Sequence, residues 1–230
     1  MHFRRFAARC RLPTATLVLA LVSLSSLVYQ SALAADERDR FILRWAAVPF
    51  EITVSDLPPM LPVPIAATLF TSLFLHADWV HLASNLVYLW LFGPSLERAV
   101  GGGRLVGLYL LAGAGAGILQ VFAAPTSMIP IIGASGALAG VMAAHSVLFP
   151  SVNARTMVFG GWCVLQLVQG AAAWDGSQQW TGGVAGRAHL GGLAVGATLG
   201  LLARQRGLGQ NLPKQWHREQ LVALIRMRIR

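Results

Sequence analysis

This sequence contains a series of long apolar stretches, most of which are long enough to cross a lipid bilayer. A bilayer-spanning helix needs about 20 mostly apolar residues. Six stretches approach or reach this length, and they are predicted at 12–35, 79–96, 105–124, 133–149, 156–173 and 185–203. The sequence therefore predicts an all-α polytopic membrane protein with six transmembrane helices in a bundle.

Composition supports the membrane assignment. Charged residues make up 12% of the chain and hydrophobic residues 55%, whereas an ordinary soluble domain has about 25% charged residues. The charges are concentrated in the termini and the connectors between the apolar stretches. This pattern argues against an ordinary soluble domain.

The placement of the basic residues predicts the orientation. The net charge is +9, and arginines cluster before residue 12 and again from Arg204 to the end. Excess Lys and Arg marks the cytoplasmic side of a membrane protein, so both termini are predicted to be cytoplasmic, with six spans between them. Because the positive charge flanks the apolar stretches, it indicates contact with a lipid bilayer and argues against a nucleic-acid-binding protein.

The first apolar stretch has two interpretations. A basic start, an apolar run and Ala32-Leu33-Ala34 before Ala35 also fit a signal peptide with a small-residue cleavage site. The run is long enough to span a bilayer, which favours a retained helix. Cleavage would leave five spans and the same orientation of the remaining ones.

A serine and a histidine within the apolar stretches indicate chemistry. Ser135 opens the fourth stretch and His189 lies near the start of the sixth, and because polar side chains are costly in hydrocarbon, their presence there indicates a functional site. A serine hydroxyl needs a neighbouring base to become a nucleophile. Among the 6 histidines, His189 is the one predicted to lie at a depth similar to Ser135. No carboxylate lies well inside a span near them, so the sequence predicts a Ser/His dyad.

Two further observations concern the surroundings of this pair. Small residues four apart let membrane helices approach closely, and the fourth stretch carries Gly136 and Gly140 while the sixth carries Gly192, Gly196 and Gly200. This spacing is also compatible with plain helix packing. Acyl transfer by a serine also needs hydrogen-bond donors, which stabilise the oxyanion that forms on the substrate carbonyl.

Candidate donors lie on the second span. His81 and Asn85 are four residues apart and therefore share one helix face. The N-terminus of the helix that Ser135 opens offers free backbone N–H groups. A satisfied polar patch at the membrane interface is the alternative interpretation of His81 and Asn85.

Taken together, the motifs resemble the rhomboid family of intramembrane serine proteases over about residues 69–203. The resemblance is carried, in order, by His76-x4-His81-x3-Asn85, Gly133-x-Ser135-Gly136, and Ala188-His189-x2-Gly192-x3-Gly196. It implies a six-helix bundle with Ser135 as nucleophile and His189 as general base. It also implies an oxyanion hole formed by His81, Asn85 and the Ser135 N–H. Glu97 resembles a structural residue of the family that supports a helix end.

The charge pattern and the resemblance together imply a division of the chain. Residues 1–11 would form a basic cytoplasmic N-terminus, and 12–203 a rhomboid-like membrane domain with a long outer loop at about 36–78. Residues 204–230 would form a basic cytoplasmic tail, either amphipathic on the membrane surface or simply solvated. The fifth span, around Phe159 and Trp162, would line the side through which substrate enters.

One departure concerns the base. Many family members carry an aromatic residue four positions after the serine, under the histidine ring, and this chain has Ala139 there. The orientation of the His189 ring is then expected to depend on other packing.

The function predicted from these features is intramembrane endopeptidase activity on transmembrane-protein substrates. No metal or cofactor is implied, and the absence of an H-E-x-x-H motif counts against a zinc protease. The alternatives are a catalytically inactive relative that binds membrane-protein clients, and a transporter or haem protein using the histidines. A bacterial cytoplasmic membrane, with the active site facing outward, is the expected location. The sequence makes no prediction of the oligomeric state.

Overall fold

The computed structural model describes residues 12–54, 64–172 and 183–209. These ranges are mostly α-helical, with short 3₁₀ turns at Ile65–Ala67 and Ser72–Phe74. The helices are α1 (Thr14–Ala32), α2 (Ala35–Trp45), α3 (Pro49–Thr53), α4 (Thr68–Thr71), α5 (Trp79–Val100), α6 (Gly102–Ala123), α7 (Ser135–Leu148), α8 (Ala154–Ala172) and α9 (Gly183–Gln205).

Each of the six predicted apolar stretches corresponds to one of the longer helices: α1, α5, α6, α7, α8 and α9. Among the described residues, α1 and α6 are long and apolar enough to cross a membrane. The segment Ile65–Phe74 and α5 meet at an 85° bend and count as a third span if taken together. Helix α7 has only 14 residues. The N-terminus 1–11 and the predicted amphipathic part of the tail lie outside the described residues.

The centre of the bundle is a close-packed group of three helices, α6, α7 and α9. Their contacts are made through glycines. A Cβ atom on Gly192 would overlap the carbonyl oxygen of Gly136, and one on Gly196 would overlap that of Gly140. Such an approach of two backbones is possible only where side chains are missing. The glycines spaced four residues apart therefore do allow α7 and α9 to pack closely, as their spacing predicts.

Polar contacts join the start of α1 to the last turn of α5. Glu97 Oε1 accepts a hydrogen bond from Ala15 N at 2.9 Å. The other carboxylate oxygen accepts from the N–H and the hydroxyl of Thr16, at 2.9 and 2.7 Å. These backbone N–H groups belong to the first turn of α1, where no intrahelical partner is available. Glu97 therefore caps the first helix from a distance of 82 positions along the chain.

The connector between α1 and α5 is tied to the segment that precedes α7. Ile131 N donates to Ala47 O at 2.8 Å, and Phe50 N donates to Ser127 O at 3.0 Å. The hydroxyl of Thr71 donates to Trp45 O at 2.6 Å. The first two bonds join the connector to the segment before α7, and the third lies within the connector itself.

Candidate active site

Ser135 is the first residue of α7 and follows a sharp turn. Gly133 has a φ of 109°, a conformation that glycine adopts without steric cost. Its N–H donates to Ser72 O at 3.0 Å, which fixes the turn against the segment before α5. The first N–H groups of a helix have no intrahelical partner and carry a partial positive charge. Half-buried Ser135 therefore sits where a negative charge is stabilised.

His81 and Asn85 border this turn from α5. A Cβ atom added to Gly133 would lie 2.7 Å from His81 Cε1, 2.8 Å from His81 Nε2 and 3.9 Å from Asn85 Nδ2. The start of α5 is capped by Asp78, whose Oδ1 accepts from His81 N at 2.7 Å. The two side chains predicted as oxyanion donors thus lie together beside Gly133, which is two residues before the serine.

His189 approaches from α9. The carbonyl oxygen of Ala188 is 3.9 Å from the position that a Cβ of Gly136 would take, so the residues adjacent to His189 and Ser135 nearly touch. His189 is buried, at 5% exposure. Within the described ranges, Ser135 Oγ and His189 Nε2 form no hydrogen bond. Catalytic hydrogen bonds are often loose before substrate binds.

The other ring nitrogen of His189 has a partner that the sequence analysis did not identify. His189 Nδ1 is 2.6 Å from Gln166 Oε1. The His189 ring also packs against Trp162, with ring centroids 5.1 Å apart and planes at 57°. Both partners belong to α8. A signal was available, because Gln166 is a polar residue within an apolar span, one helical turn after Trp162.

The other described histidines are placed differently. His76 is buried and its ring packs edge-on against that of His81, with centroids 5.2 Å apart. His145 lies between Phe92 and Phe149, ten residues after the serine and so about 15 Å along α7. His76 thus adjoins the candidate site, whereas His145 belongs to the packing at the far end of α7.

The remaining predicted site residues serve the framework. Gly192 allows α9 to lie against the first turn of α7, and Gly196 continues that contact one turn further in. Glu97 lies at the opposite end of α5 from His81, 16 positions and about 24 Å away. The site therefore combines a hydroxyl, an imidazole with one unoccupied nitrogen and a group of N–H donors, which is the set that acyl transfer requires.

Comparison with known proteins identifies the family. The Rhomboid domain model matches residues 66–206, so the chain belongs to the rhomboid family of intramembrane serine proteases. The predicted family and the predicted all-α membrane bundle are confirmed. The protein is an integral membrane protein.

Curated relatives agree with this assignment. The chain is 32% identical over 139 residues to "Rhomboid protein 1, mitochondrial" of Saccharomyces cerevisiae, covering 56% of this chain and 39% of that protein. It is 32% identical over 139 residues to "Rhomboid-like protein 11, chloroplastic" of Arabidopsis thaliana, covering 56% and 49%. It is 24% identical over 216 residues to "Rhomboid protease AarA" of Providencia stuartii, covering 81% and 71%. The matched region spans less than half of the first two relatives.

Proposed function

We propose that this rhomboid-family protein is an active serine endopeptidase that hydrolyses peptide bonds in or near the transmembrane helices of other membrane proteins. Ser135 acts as nucleophile and His189 as general base. His81, Asn85 and the Ser135 N–H form the oxyanion hole. No cofactor takes part.

One arrangement supports this proposal above all others. A serine at a helix N-terminus lies beside a buried histidine, and two side-chain donors border the glycine turn before the serine. In the described part of the chain, His189 Nε2 and Asn85 Nδ2 have no hydrogen-bond partner. An unpaired buried polar atom costs about 1–3 kcal/mol. His76 Nε2, Gln30 Oε1 and Gln120 Oε1 are also unpaired within the described ranges, but His189 Nε2 and Asn85 Nδ2 are the two atoms that the reaction would use, as proton acceptor and as oxyanion donor.

The reaction follows from these roles. Ser135 Oγ attacks the substrate carbonyl carbon while its proton moves to His189 Nε2, and the carbonyl oxygen becomes an oxyanion held by the donors. The C–N bond then breaks as Nε2 gives its proton to the leaving amine. Water, deprotonated by His189, attacks the acyl-enzyme in the same way and releases Ser135.

The length of α7 supports a reaction below the membrane surface. Its 14 residues span about 21 Å, against about 30 Å for the hydrocarbon core. A helix of this length does not span the whole core, which supports a position of Ser135, at its start, below the outer surface in an outward-facing depression that admits water. The substrate helix unwinds locally near its outer end, because a helical backbone keeps its carbonyls hydrogen-bonded.

The orientation and location form part of the proposal. Both termini face the cytoplasm of a bacterial cell, and the active site faces outward across the cytoplasmic membrane. Residues 12–203 form the membrane domain, with the outer loop at about 36–78. The basic segments at 1–11 and 204–230 flank it on the inner side.

The test is cleavage of a model transmembrane substrate by the purified protein in detergent, beside Ser135→Ala and His189→Ala. Ser146→Ala is the matched control, because Ser146 lies on the same helix with its hydroxyl bound to Met142 O at 3.0 Å. A serine-reactive fluorophosphonate gives a second readout that needs no substrate.

We expect cleavage and labelling by the wild type and by Ser146→Ala, with neither in Ser135→Ala. Cleavage that survives in Ser135→Ala refutes the serine mechanism. A folded wild type that neither cleaves several substrates nor reacts with the probe supports the inactive, client-binding alternative.

A further inference from the structure

The base of the proposed dyad is held by α8 and not by the helix that carries the nucleophile. His189 Nδ1 meets Gln166 Oε1 at 2.6 Å, and the His189 ring lies against Trp162. On α7, the position one turn after Ser135 is Ala139, which packs against Gly192 and has no ring to offer. The contacts that orient the His189 ring, in place of an aromatic residue at position 139, therefore come from α8.

The two supporting residues share one face of α8. Trp162 and Gln166 are four residues apart and so lie one above the other. Trp162 is 8% exposed, whereas Val164 and Leu165 between them are 60% and 50% exposed. The face that carries Trp162 and Gln166 is thus the one turned to the bundle. Gln166 reaches the base across an interhelical contact.

The chemistry of the contact determines which nitrogen of His189 carries the proton. An amide oxygen only accepts hydrogen bonds, so its partner Nδ1 must be protonated. In neutral imidazole the proton on Nδ1 leaves a lone pair on Nε2, the nitrogen that is otherwise unpaired in the described part of the chain. This is the tautomer that can accept a proton from a serine hydroxyl.

We propose that Gln166 is a positioning residue for the reaction, and that its amide oxygen selects the reactive tautomer of His189 while Trp162 fixes the plane of the ring. The inference rests on the proposed function and adds a neutral third member to the dyad. When Ser135 gives its proton to Nε2, Nδ1 keeps its own proton and its bond to Gln166. The amide dipole then stabilises the positive imidazolium without a carboxylate.

Two variants and a control test the proposal. Gln166→Leu keeps a side chain of similar size but removes the acceptor. Gln166→Glu keeps an acceptor whether its carboxyl group is ionised or neutral. Leu165→Ala changes the adjacent, half-exposed position on the same helix. The measurements are kcat and KM for a transmembrane substrate, and the protonation of the His189 ring nitrogens by ¹⁵N NMR of histidine-labelled protein, with His189→Ala for assignment.

We expect Gln166→Leu to lower kcat about 10- to 100-fold with KM little changed, since general-base catalysis contributes about 10²- to 10⁴-fold and only part of it is lost. Gln166→Glu should recover most of kcat, and Leu165→Ala should match the wild type. In the NMR spectrum of the wild type, Nδ1 should be protonated and Nε2 unprotonated, and Gln166→Leu should lose this preference.

The inference is overturned if Gln166→Leu keeps the wild-type kcat, or if the wild-type ring is protonated at Nε2 alone. Parallel losses in Gln166→Leu and Gln166→Glu, with the tautomer unchanged, also overturn it, because they indicate a packing role only. The NMR measurement needs no turnover. A wild type that fails to cleave but has the Nδ1-protonated ring therefore refutes the proposed function and leaves the contact supported. If Gln166→Leu does not fold, Gln166→Glu and the wild-type spectrum decide.

Discussion

Neutralising Glu97 should weaken the bundle without affecting the chemistry. Three donors from the first turn of α1 converge on this carboxylate at 2.7–2.9 Å. In Glu97→Gln, the single amide oxygen can face the two Thr16 donors, which leaves Ala15 N–H opposed by an NH₂ group. One unsatisfied donor costs about 1–3 kcal/mol. Loss of the charge at a helix N-terminus costs about 0.3–1 kcal/mol more. We therefore expect a loss of about 1.3–4 kcal/mol.

A double-mutant cycle tests whether this energy resides in the contact. Thr16→Val removes the hydroxyl donor of the 2.7 Å bond with little change of shape, and should cost about 1.5–3 kcal/mol because the acceptor is charged. Residues in one hydrogen-bonded cluster are not additive. The double variant should therefore lose less than the two single losses combined. The free energy of unfolding is measured by titrating detergent-solubilised protein with sodium dodecyl sulfate and following tryptophan fluorescence.

The same proteins are assayed for cleavage under conditions in which they are folded. Because Glu97 and His81 lie about 24 Å apart along α5, kcat should equal that of the wild type. An unfolding free energy within about 0.5 kcal/mol of the wild type, as for an ordinary surface substitution, would refute the capping role. A loss of kcat with stability intact would place Glu97 in the catalytic machinery.

Two glycine substitutions, Gly192→Ala and Gly133→Ala, give further predictions, and a third serves as their control. Gly192→Ala places a Cβ atom against the carbonyl oxygen of Gly136, so we expect α7 and α9 to separate and both stability and kcat to fall. Gly107→Ala on α6, whose Cβ would meet nothing within 4 Å, should leave kcat unchanged and keep or raise stability by about 0.5–1 kcal/mol, and it serves as the control; equal behaviour of the pair would contradict the close-packing argument. Gly133→Ala combines a φ of 109° with a Cβ 2.7 Å from the ring of His81. It should lower kcat by about 10²- to 10³-fold, the range seen on removing an oxyanion donor, and a wild-type kcat would show that His81 and the turn need not be held together.

The long helices of the bundle could be predicted from the sequence because a sufficiently long apolar run has few alternatives to a helix in a membrane. Helix α2 was not predicted. Its sequence carries charged residues in its first half and apolar residues in its second, and it therefore resembled part of a polar connector. The start of α7 was predicted at Gly133, two residues early, because the glycine turn is apolar and does not interrupt the run.

The candidate site was predictable to the extent that it depends on position along a helix. The depth of Ser135 and of His189 follows from their distance to the helix ends, and the face shared by His81 and Asn85 follows from their spacing. The contact between Gln166 and His189 depends instead on how α8 is rotated against α9. Spacing within one helix does not determine that rotation, so the polar residue was visible but its partner was not.

The two polar clusters of this bundle differ in a way that separates stability from function. Near the end of α5, Glu97 has both oxygens occupied by donors of α1. Beside the start of α7, in the described part of the chain, Asn85 Nδ2 and His189 Nε2 are buried without partners. Folding alone favours the first arrangement and opposes the second, because each unpaired atom costs about 1–3 kcal/mol. Departures of this kind are expected at functional sites. Buried amide oxygens of Gln30 and Gln120 also lack partners in the described part of the chain, but the cluster beside Ser135 is the one in which the proposed chemistry gives both unpaired atoms a role.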